Sequence, residues 1–302
     1  MIRFAGRLVP RFVIEDIEQL VAAGDRRTEA PMQVRYPELD FSNTVPHWGA
    51  SPEQSQVINA GNIIPAYIEP FLIKVMRKAK KELDPVADAQ LIADMDIFNS
   101  QEAQHMKAHN EMLTIVRNKY PNMKPIEEAY AADYARFLAE KPLEWLLAYC
   151  EGFEAFGSNA AEVWLDGRME GSIEGADPQV VAMFRWHLAE EYEHRTVADR
   201  VFHRLGNSGG PVRTYFRRLA GFWNAVTHMS KYSNQLEKFL IEADQANMSP
   251  EELRASKARH KRAKKVKVAP SFIKFLKILS PRYDPQNTPA PKNLDAVLAR
   301  YS

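Results

Sequence analysis

Residues 99–109 read Asn99-Ser100-Gln101-Glu102-Ala103-Gln104-His105-Met106-Lys107-Ala108-His109. On a helix, Glu102, His105 and His109 stand at positions i, i+3 and i+7, so their side chains form one stripe on one face. A Glu followed three residues later by a His can bring a carboxylate and an imidazole to the same metal ion. This stretch therefore predicts a helix that carries metal ligands.

A second stretch, residues 187–194, repeats the pattern. Glu191 and His194 form another Glu-x-x-His pair, and His187 stands one helical turn before Glu191. Two helices that each offer a carboxylate and an imidazole predict a site for two metal ions.

Two acidic residues lie upstream of these pairs at similar distances. Glu69 precedes Glu102 by 33 residues, and Glu154 precedes Glu191 by 37. Each gap is long enough to hold the end of one helix, a turn and the start of the next helix. The spacing therefore predicts that each half of the chain forms an antiparallel helix pair. Two such pairs form a four-helix bundle with four carboxylates and two imidazoles in its core, which is the ligand set of ferritin-like di-iron and di-manganese proteins. The predicted metal ligands are Glu69, Glu102, His105, Glu154, Glu191 and His194.

Three nearby residues are open to more than one interpretation. His109 and His187 lie on the ligand stripes one turn from the site. Each is an extra ligand, a group behind the ligands or a proton shuttle, and we predict catalytic roles for both. Glu151 is the alternative to Glu154, which we prefer because its spacing to Glu191 better matches that of the first half.

The composition favours a helical globular protein. The 302 residues are 45% hydrophobic and 26% charged, with only 13 glycines and no strand-like alternation. We predict an all-α fold, a ferritin-like four-helix bundle with additional N- and C-terminal helices. The single cysteine, Cys150, excludes an intrachain disulfide and a thiolate zinc site. The chain has no glycine-rich phosphate loop, so we expect no nucleotide cofactor.

Prolines and composition divide the chain into three parts. Residues 1–50 read as an N-terminal lead-in with a short amphipathic helix at 11–23, residues 51–248 as the bundle, and residues 249–302 as a basic helical tail that packs on the bundle. Pro65 and Pro70 predict that the first long helix is bent or broken near Glu69. The second stripe lies on one predicted helix over residues 178–205, which ends before a Gly-rich boundary.

Charge is distributed unevenly along the chain. Residues 251–302 hold 13 Lys and Arg against 4 Asp and Glu, a balance of +9, so the net charge of +1 leaves −8 for residues 1–250. We favour a tail that folds back over the acidic bundle. The alternative is peripheral membrane contact through residues 254–279. Nucleic acid is not an expected partner, and apolar stretches after residue 212 are compatible with a homodimer.

The N-terminal residues lack the uninterrupted apolar core of a signal peptide, and no run approaches the length of a membrane span. We therefore expect a cytoplasmic protein.

Several motifs resemble those of a known family. They are Gln-Glu-x-x-His-x-x-x-His at 101–109, Trp-His-x-x-Glu-Glu-x-Glu-His at 186–194, Pro46-His47-Trp48, the segment that begins at Glu69, and Ser280-Pro281-Arg282-Tyr283-Asp284-Pro285. The likeness spans roughly residues 35–300 and is to the bacterial "predicted metal-dependent hydrolase" family, a ferritin-like group. The resemblance implies a metal-dependent enzyme that acts by hydrolysis.

Two reaction classes suit such a site, both on a small-molecule substrate. We favour O2-dependent oxidation, because an apolar helical core excludes water from a reactive oxidant. The alternative is hydrolysis by a metal-activated water, as the family name suggests, and a minor alternative is iron storage. We expect two divalent metal ions, with iron favoured and manganese or zinc as alternatives, because all the ligands are oxygen and nitrogen.

Overall fold

The computed structural model describes residues 2–4, 7–9, 32–268 and 276–301, with side chains from residue 32 to 265, except Asn159, and from 276 to 301. The helix predicted over residues 11–23 lies outside the described residues. The same holds for residues 269–275 of the segment considered for membrane contact.

Two short antiparallel strands pair near the N-terminus, and they were not predicted from the sequence. Strands β1 (Ile2–Phe4) and β2 (Arg7–Val9) have three residues each, too few for an alternating pattern to be recognised. The α-helices that follow are α1 (Pro52–Lys80), α2 (Ala89–Lys119), α3 (Lys124–Glu140), α4 (Leu143–Leu165), α5 (Glu170–Ile173), α6 (Pro178–His194), α7 (Val197–Leu205), α8 (Gly210–Gln245), α9 (Pro250–Val268) and α10 (Leu294–Arg300). Short 3₁₀ helices lie at Pro121–Met123 and Pro285–Asn287.

Four of these helices surround the core. Helix α1 packs against α2 and α4, while α6 packs against α4 and α2. Helix α8 lies across α1 and α4 and covers one side. The predicted all-α helical bundle is therefore confirmed, whereas the likeness to ferritin-like proteins in particular stays a prediction.

Helix α1 runs without a break through both of its internal prolines. Ser51 caps it by accepting a hydrogen bond from the Gln54 backbone N–H, and Pro52 occupies the first turn. Of the two outcomes predicted near Glu69, the break was wrong, whereas a bend there stays a prediction. Each proline removes one backbone hydrogen bond, but fully buried neighbours such as Ile68 and Leu72 hold the helix in the core.

The helix predicted over residues 178–205 is divided in two. Helix α6 ends at His194, and a turn at residues 195–196 precedes α7. Arg195 at this turn is buried and donates to the backbone carbonyl of Pro285 (3.0 Å) and to that of Tyr192 (2.7 Å). The C-terminal segment is thereby fixed against the end of α6.

The described part of the basic tail contacts the bundle. Arg259 donates two hydrogen bonds of 2.8 Å to the buried carboxylate of Glu53, and Lys264 lies 2.9 Å from Glu237. Helix α9 also packs along α1. None of the helices in the described part of the chain combines the length and the apolar character that crossing a bilayer requires.

Helices α4 and α8 cross at very close range because glycine stands on both sides of the crossing. A Cβ on Gly221 would collide with the backbone carbonyl of Ala148. A Cβ on Gly152 would lie 2.5 Å from Cα and 2.6 Å from N of Phe222. Since α4 carries Glu154, this crossing sets the position of one wall of the site.

The crossing generates the first prediction. We expect Gly221→Ala to lower stability by about 1–3 kcal/mol, because the methyl group has no space, and thermal melting should show a fall in Tm of several degrees. Gly171→Ala is the matched control, since a Cβ at Gly171 meets nothing within 4 Å. An equal Tm in both variants would show that the helices can separate without cost.

Candidate metal centre

The structure brings together in the bundle core all six residues predicted as metal ligands. Helix α1 contributes Glu69, α2 contributes Glu102 and His105, α4 contributes Glu154, and α6 contributes Glu191 and His194. Each of the six is at most 1% exposed. His187, also on α6 and 5% exposed, joins them.

The ligand atoms form two adjacent groups. One group consists of Glu69, His105, His187 and Glu191, and the other of Glu102, Glu154 and His194. Within each group the candidate ligand atoms all lie within 4.8 Å of one another. Each group therefore combines residues from both halves of the chain.

Two carboxylates face both groups. Glu191 Oε1 lies 3.0 Å from His187 Nε2 and 3.7 Å from His194 Nε2. Glu102 Oε1 lies 3.2 Å from His194 Nε2 and 3.9 Å from His105 Nδ1. Either carboxylate could therefore contribute a ligand to both groups.

Most of the ligand atoms have no hydrogen-bond partner within the described part of the chain. These are both carboxylate oxygens of Glu69, Glu102 and Glu154, one oxygen of Glu191, Nδ1 of His105 and Nε2 of His194. Burial of unpaired carboxylates is costly unless a cation compensates them. The residues therefore fit a pair of divalent ions, and their oxygen and nitrogen atoms suit iron, manganese or zinc.

The electrostatics of the chain itself also favour a cation. Burial and the neighbouring carboxylates raise the pKa values of Glu69 and Glu102 well above the usual range, and they raise the pKa of Glu154 to about 7. Although burial opposes it, the adjacent imidazoles of His187 and His194 lower the pKa of Glu191. Burial opposes protonation of His194 as well, but Glu154 and Glu191 raise its pKa. Positive charge is stabilised at the centre of the site.

Hydrogen bonds fix which nitrogen of each imidazole faces the site. His105 Nε2 lies 2.9 Å from Glu190 Oε2, which can only accept, so the Nδ1 lone pair of His105 points to the first group. His194 Nδ1 lies 3.0 Å from Gln101 Oε1, so its Nε2 lone pair points to the second. A carboxylate or carbonyl behind a ligand imidazole is the usual arrangement in metal sites.

One arginine of the lead-in connects these two supports. Arg35, which is 2% exposed, donates to Glu190 Oε1 (3.1 Å) and to both oxygens of Glu193 (3.0 Å each). Glu193 in turn accepts a hydrogen bond of 2.7 Å from Gln101 Nε2, which orients the amide that supports His194. The Arg35 network, Arg35 with Glu190, Glu193 and Gln101, thus holds one histidine of each group.

A separate series of hydrogen bonds stands behind His187. Asn62 Nδ2 donates to the backbone carbonyl of His109 (3.2 Å), so Asn62 Oδ1 accepts from the Nδ1–H of His109. His109 Nε2 then accepts from His187 Nδ1, 2.5 Å away, and the Nε2 lone pair of His187 faces Glu69 and Glu191. His187 therefore lies with the ligands, whereas His109 lies behind it.

The two acids considered on α4 have different environments. Glu154 Oε2 lies 3.4 Å from His194 Nε2, within the second group. Glu151 points away, 3.7 Å from the guanidinium of Arg218, and belongs to neither group. Cys150 is buried, which raises the pKa of its thiol and disfavours the reactive thiolate.

Two of the residues that orient the ligands, Arg35 and Asn62, could not be recognised from the sequence. Arg35 stands in a proline-containing stretch with no periodic pattern, and Asn62 is an ordinary polar residue on α1. Gln101, Glu190 and Glu193 lie within the two histidine motifs, but neither motif indicates which ligand each of them orients. No sequence signal identified Arg35 or Asn62.

The sequence matches the model of one protein family over most of its length. The model of the family described as "Predicted metal-dependent hydrolase" matches residues 33–288. The chain belongs to this family. The match begins within the lead-in and so includes Arg35 together with every residue of the two groups. A comparison with curated proteins and with solved structures finds no match.

The support behind His105 leads to a second prediction. In Glu190→Leu the His105 Nε2–H loses its acceptor and the site loses a nearby negative charge, so we expect the affinity for zinc or manganese to fall by about 10–100-fold. Competition with a chelator would measure this. Glu190→Gln, which keeps an acceptor oxygen, should fall less, and Glu111→Gln, exposed on the same helix as His105, should not change. Equal affinity in Glu190→Leu and the wild type would rule out an orienting role for Glu190.

Glu151 leads to a third prediction, on pH. Burial raises the pKa of Glu151 to about 8, whereas an unfolded glutamate has a pKa of about 4.3. Between these values the folded protein keeps a proton that the unfolded chain releases, so stability falls as pH rises through this window. Glu151→Gln cannot lose that proton. The fall in Tm between about pH 6 and about pH 9 should therefore be smaller in Glu151→Gln than in the wild type, both metal-free.

The same melting series on Glu111→Gln serves as the control, because this exposed side chain should leave the wild-type slope unchanged. If Glu151→Gln and the wild type lose Tm in parallel, Glu151 does not carry a proton that is linked to folding.

Proposed function

We propose that this protein is a hydrolase that holds two divalent metal ions in the bundle core. The observation that carries the proposal is the pair of adjacent ligand groups, with Glu102 and Glu191 facing both. The family description supports hydrolysis. The oxidation favoured from the sequence has no support in the comparisons, so it is retained only as an outcome of the test below.

Bound divalent ions would supply the chemistry, because they lower the pKa of water and polarise a carbonyl or phosphoryl oxygen. The chain provides the ligands and their orientation. Glu69, His105, His187 and Glu191 would hold one ion, and Glu102, Glu154 and His194 the other, with Glu102 and Glu191 shared. Iron, manganese and zinc all suit this donor set.

We assign different roles to the two histidines predicted as catalytic. His187 would be a metal ligand, because its Nε2 faces Glu69 and Glu191. His109 would be a positioning residue, because its Nε2 accepts from His187 and its Nδ1 donates to Asn62. Burial and His187 lower the pKa of His109, which keeps it neutral. Since the amide oxygen of Asn62 is not a base, this series of hydrogen bonds holds His187 in place and does not export a proton.

A fourth prediction tests the function. Metal-free protein loaded with zinc, manganese or, without oxygen, iron(II) should bind two ions per chain and hydrolyse p-nitrophenyl esters. Glu191→Gln should lose more than about 100-fold of this activity, beyond the effect of an outer-shell partner, and should bind fewer ions by elemental analysis. Glu111→Gln should behave as the wild type.

His109→Ala should keep two ions with weaker affinity, whereas His187→Ala should lose ions as Glu191→Gln does. Metal-replete protein without esterase activity, together with O2 uptake by the iron-loaded form, would replace hydrolysis with oxidation. Protein that binds no metal at all would overturn both.

A further inference from the structure

A cavity of ≈ 260 Å³ lies directly beside the first ligand group. His109, His187 and Glu191 form part of its wall, so a ligand that fills the cavity reaches the first ligand group. The remaining wall comes mainly from α1, α4 and α6, the same helices that carry Glu69, Glu154 and Glu191.

Away from the metal centre the wall is apolar. It includes Val57, Ile64, Phe153, Ala160, Trp164 and Phe184. The rings of Trp164 and Phe184 are stacked, with centroids 4.7 Å apart, and form a flat surface. In the part of the chain whose side chains are described, neither a lysine nor an arginine lines the cavity, and Glu191 is its only charged group.

This distribution of polar groups defines the chemistry of the ligand. A charged or highly polar group in the apolar part would lose its hydration without gaining a partner. A ligand with an apolar body and one polar group would place that group at the His187 end. For a hydrolase, that polar group is the bond to be cleaved.

The size of the cavity limits the apolar body. A cavity of about 150 Å³ accommodates a benzene ring, so a volume of ≈ 260 Å³ has room for about ten carbon atoms. Phe156, which is 40% exposed, lines the cavity and marks the side that reaches solvent.

We propose that this cavity binds the acyl chain of a carboxylic ester, up to about ten carbon atoms long, with the scissile carbonyl beside His187 and Glu191. The assignment of an ester rests on the proposed hydrolase function. The preference for a medium-length apolar chain rests on the cavity alone, so the two can be tested separately.

Gly61 provides a clean way to fill the cavity. It lies in α1 and lines the cavity, and a Cβ at this position meets nothing within 4 Å. Replacement of a glycine within a helix also removes an unfavourable helix propensity of about 1 kcal/mol. Gly61→Leu should therefore fold and occupy the space of about four ligand carbons.

Binding of straight-chain primary alcohols to the metal-free protein, measured by calorimetry, tests the cavity without catalysis. In the wild type, affinity should rise about fourfold for each added methylene and level off near decanol. In Gly61→Leu the plateau should begin about four carbons earlier. Gly171→Leu is the control, since Gly171 is exposed and its Cβ also meets nothing within 4 Å, and it should keep the wild-type plateau.

Should Gly61→Leu not fold, Gly61→Ala takes its place, with a plateau about one carbon earlier. A plateau at the same chain length in the wild type and the Gly61 variant would overturn the proposal. The proposal would also be overturned if, in the wild type and in the Gly61 variant alike, the affinity for alcohols kept rising well beyond decanol.

Ester hydrolysis by the metal-loaded protein separates this inference from the proposed function. If alcohols bind as expected and no ester is hydrolysed, the cavity assignment stands and the hydrolase assignment fails. If esters from acetate to dodecanoate are hydrolysed at equal rates and no alcohol binds, the hydrolase assignment stands and the cavity assignment fails.

Discussion

Four carboxylates in an apolar helical core are the constraint to which the rest of this fold responds, because most of their oxygens have no hydrogen-bond partner among the residues that the structure describes. Each would be strongly destabilising by itself. A cation beside each carboxylate would offset the cost of burying it. The packing of α1, α2, α4 and α6, which carry these carboxylates, should therefore depend on the positive charge bound between them. Ions that bind only the folded state raise the free energy of unfolding, so we expect bound metal to stabilise the bundle.

The orientation of the ligands depends on groups that never touch the ions. Arg35 sets Glu190 and, through Glu193, Gln101, and these two hold His105 and His194. Asn62 and His109 perform the corresponding task for His187. Every imidazole of the two groups thus has a defined tautomer, and all three lone pairs converge on the carboxylates. Such preorganisation is what separates a functional metal site from a cluster of acids.

The sequence was informative wherever local periodicity determined the result. The spacing within the two Glu-x-x-His pairs, and the similar distances back to Glu69 and Glu154, predicted which side chains meet, because helical geometry leaves few alternatives. It was uninformative where tertiary packing competes with a local preference. Burial keeps α1 helical through Pro65 and Pro70, and the division of the last ligand helix after His194 depends on contacts of Arg195 with a distant segment. The role of Arg35 could not be predicted, since its partners are more than 150 residues away.

Because Arg35 lies in the lead-in, the shortest fragment with an intact metal centre must include part of the lead-in. By composition the lead-in resembles a dispensable linker, and a fragment that began with α1 would retain every candidate ligand. Such a fragment would leave Glu190 and Glu193 as adjacent buried carboxylates without their counter-ion, immediately behind the two histidines they support. The bundle is therefore not independent of the lead-in. Arg35, which lies in an irregular segment outside the bundle helices, supplies the positive charge that pairs with Glu190 and Glu193.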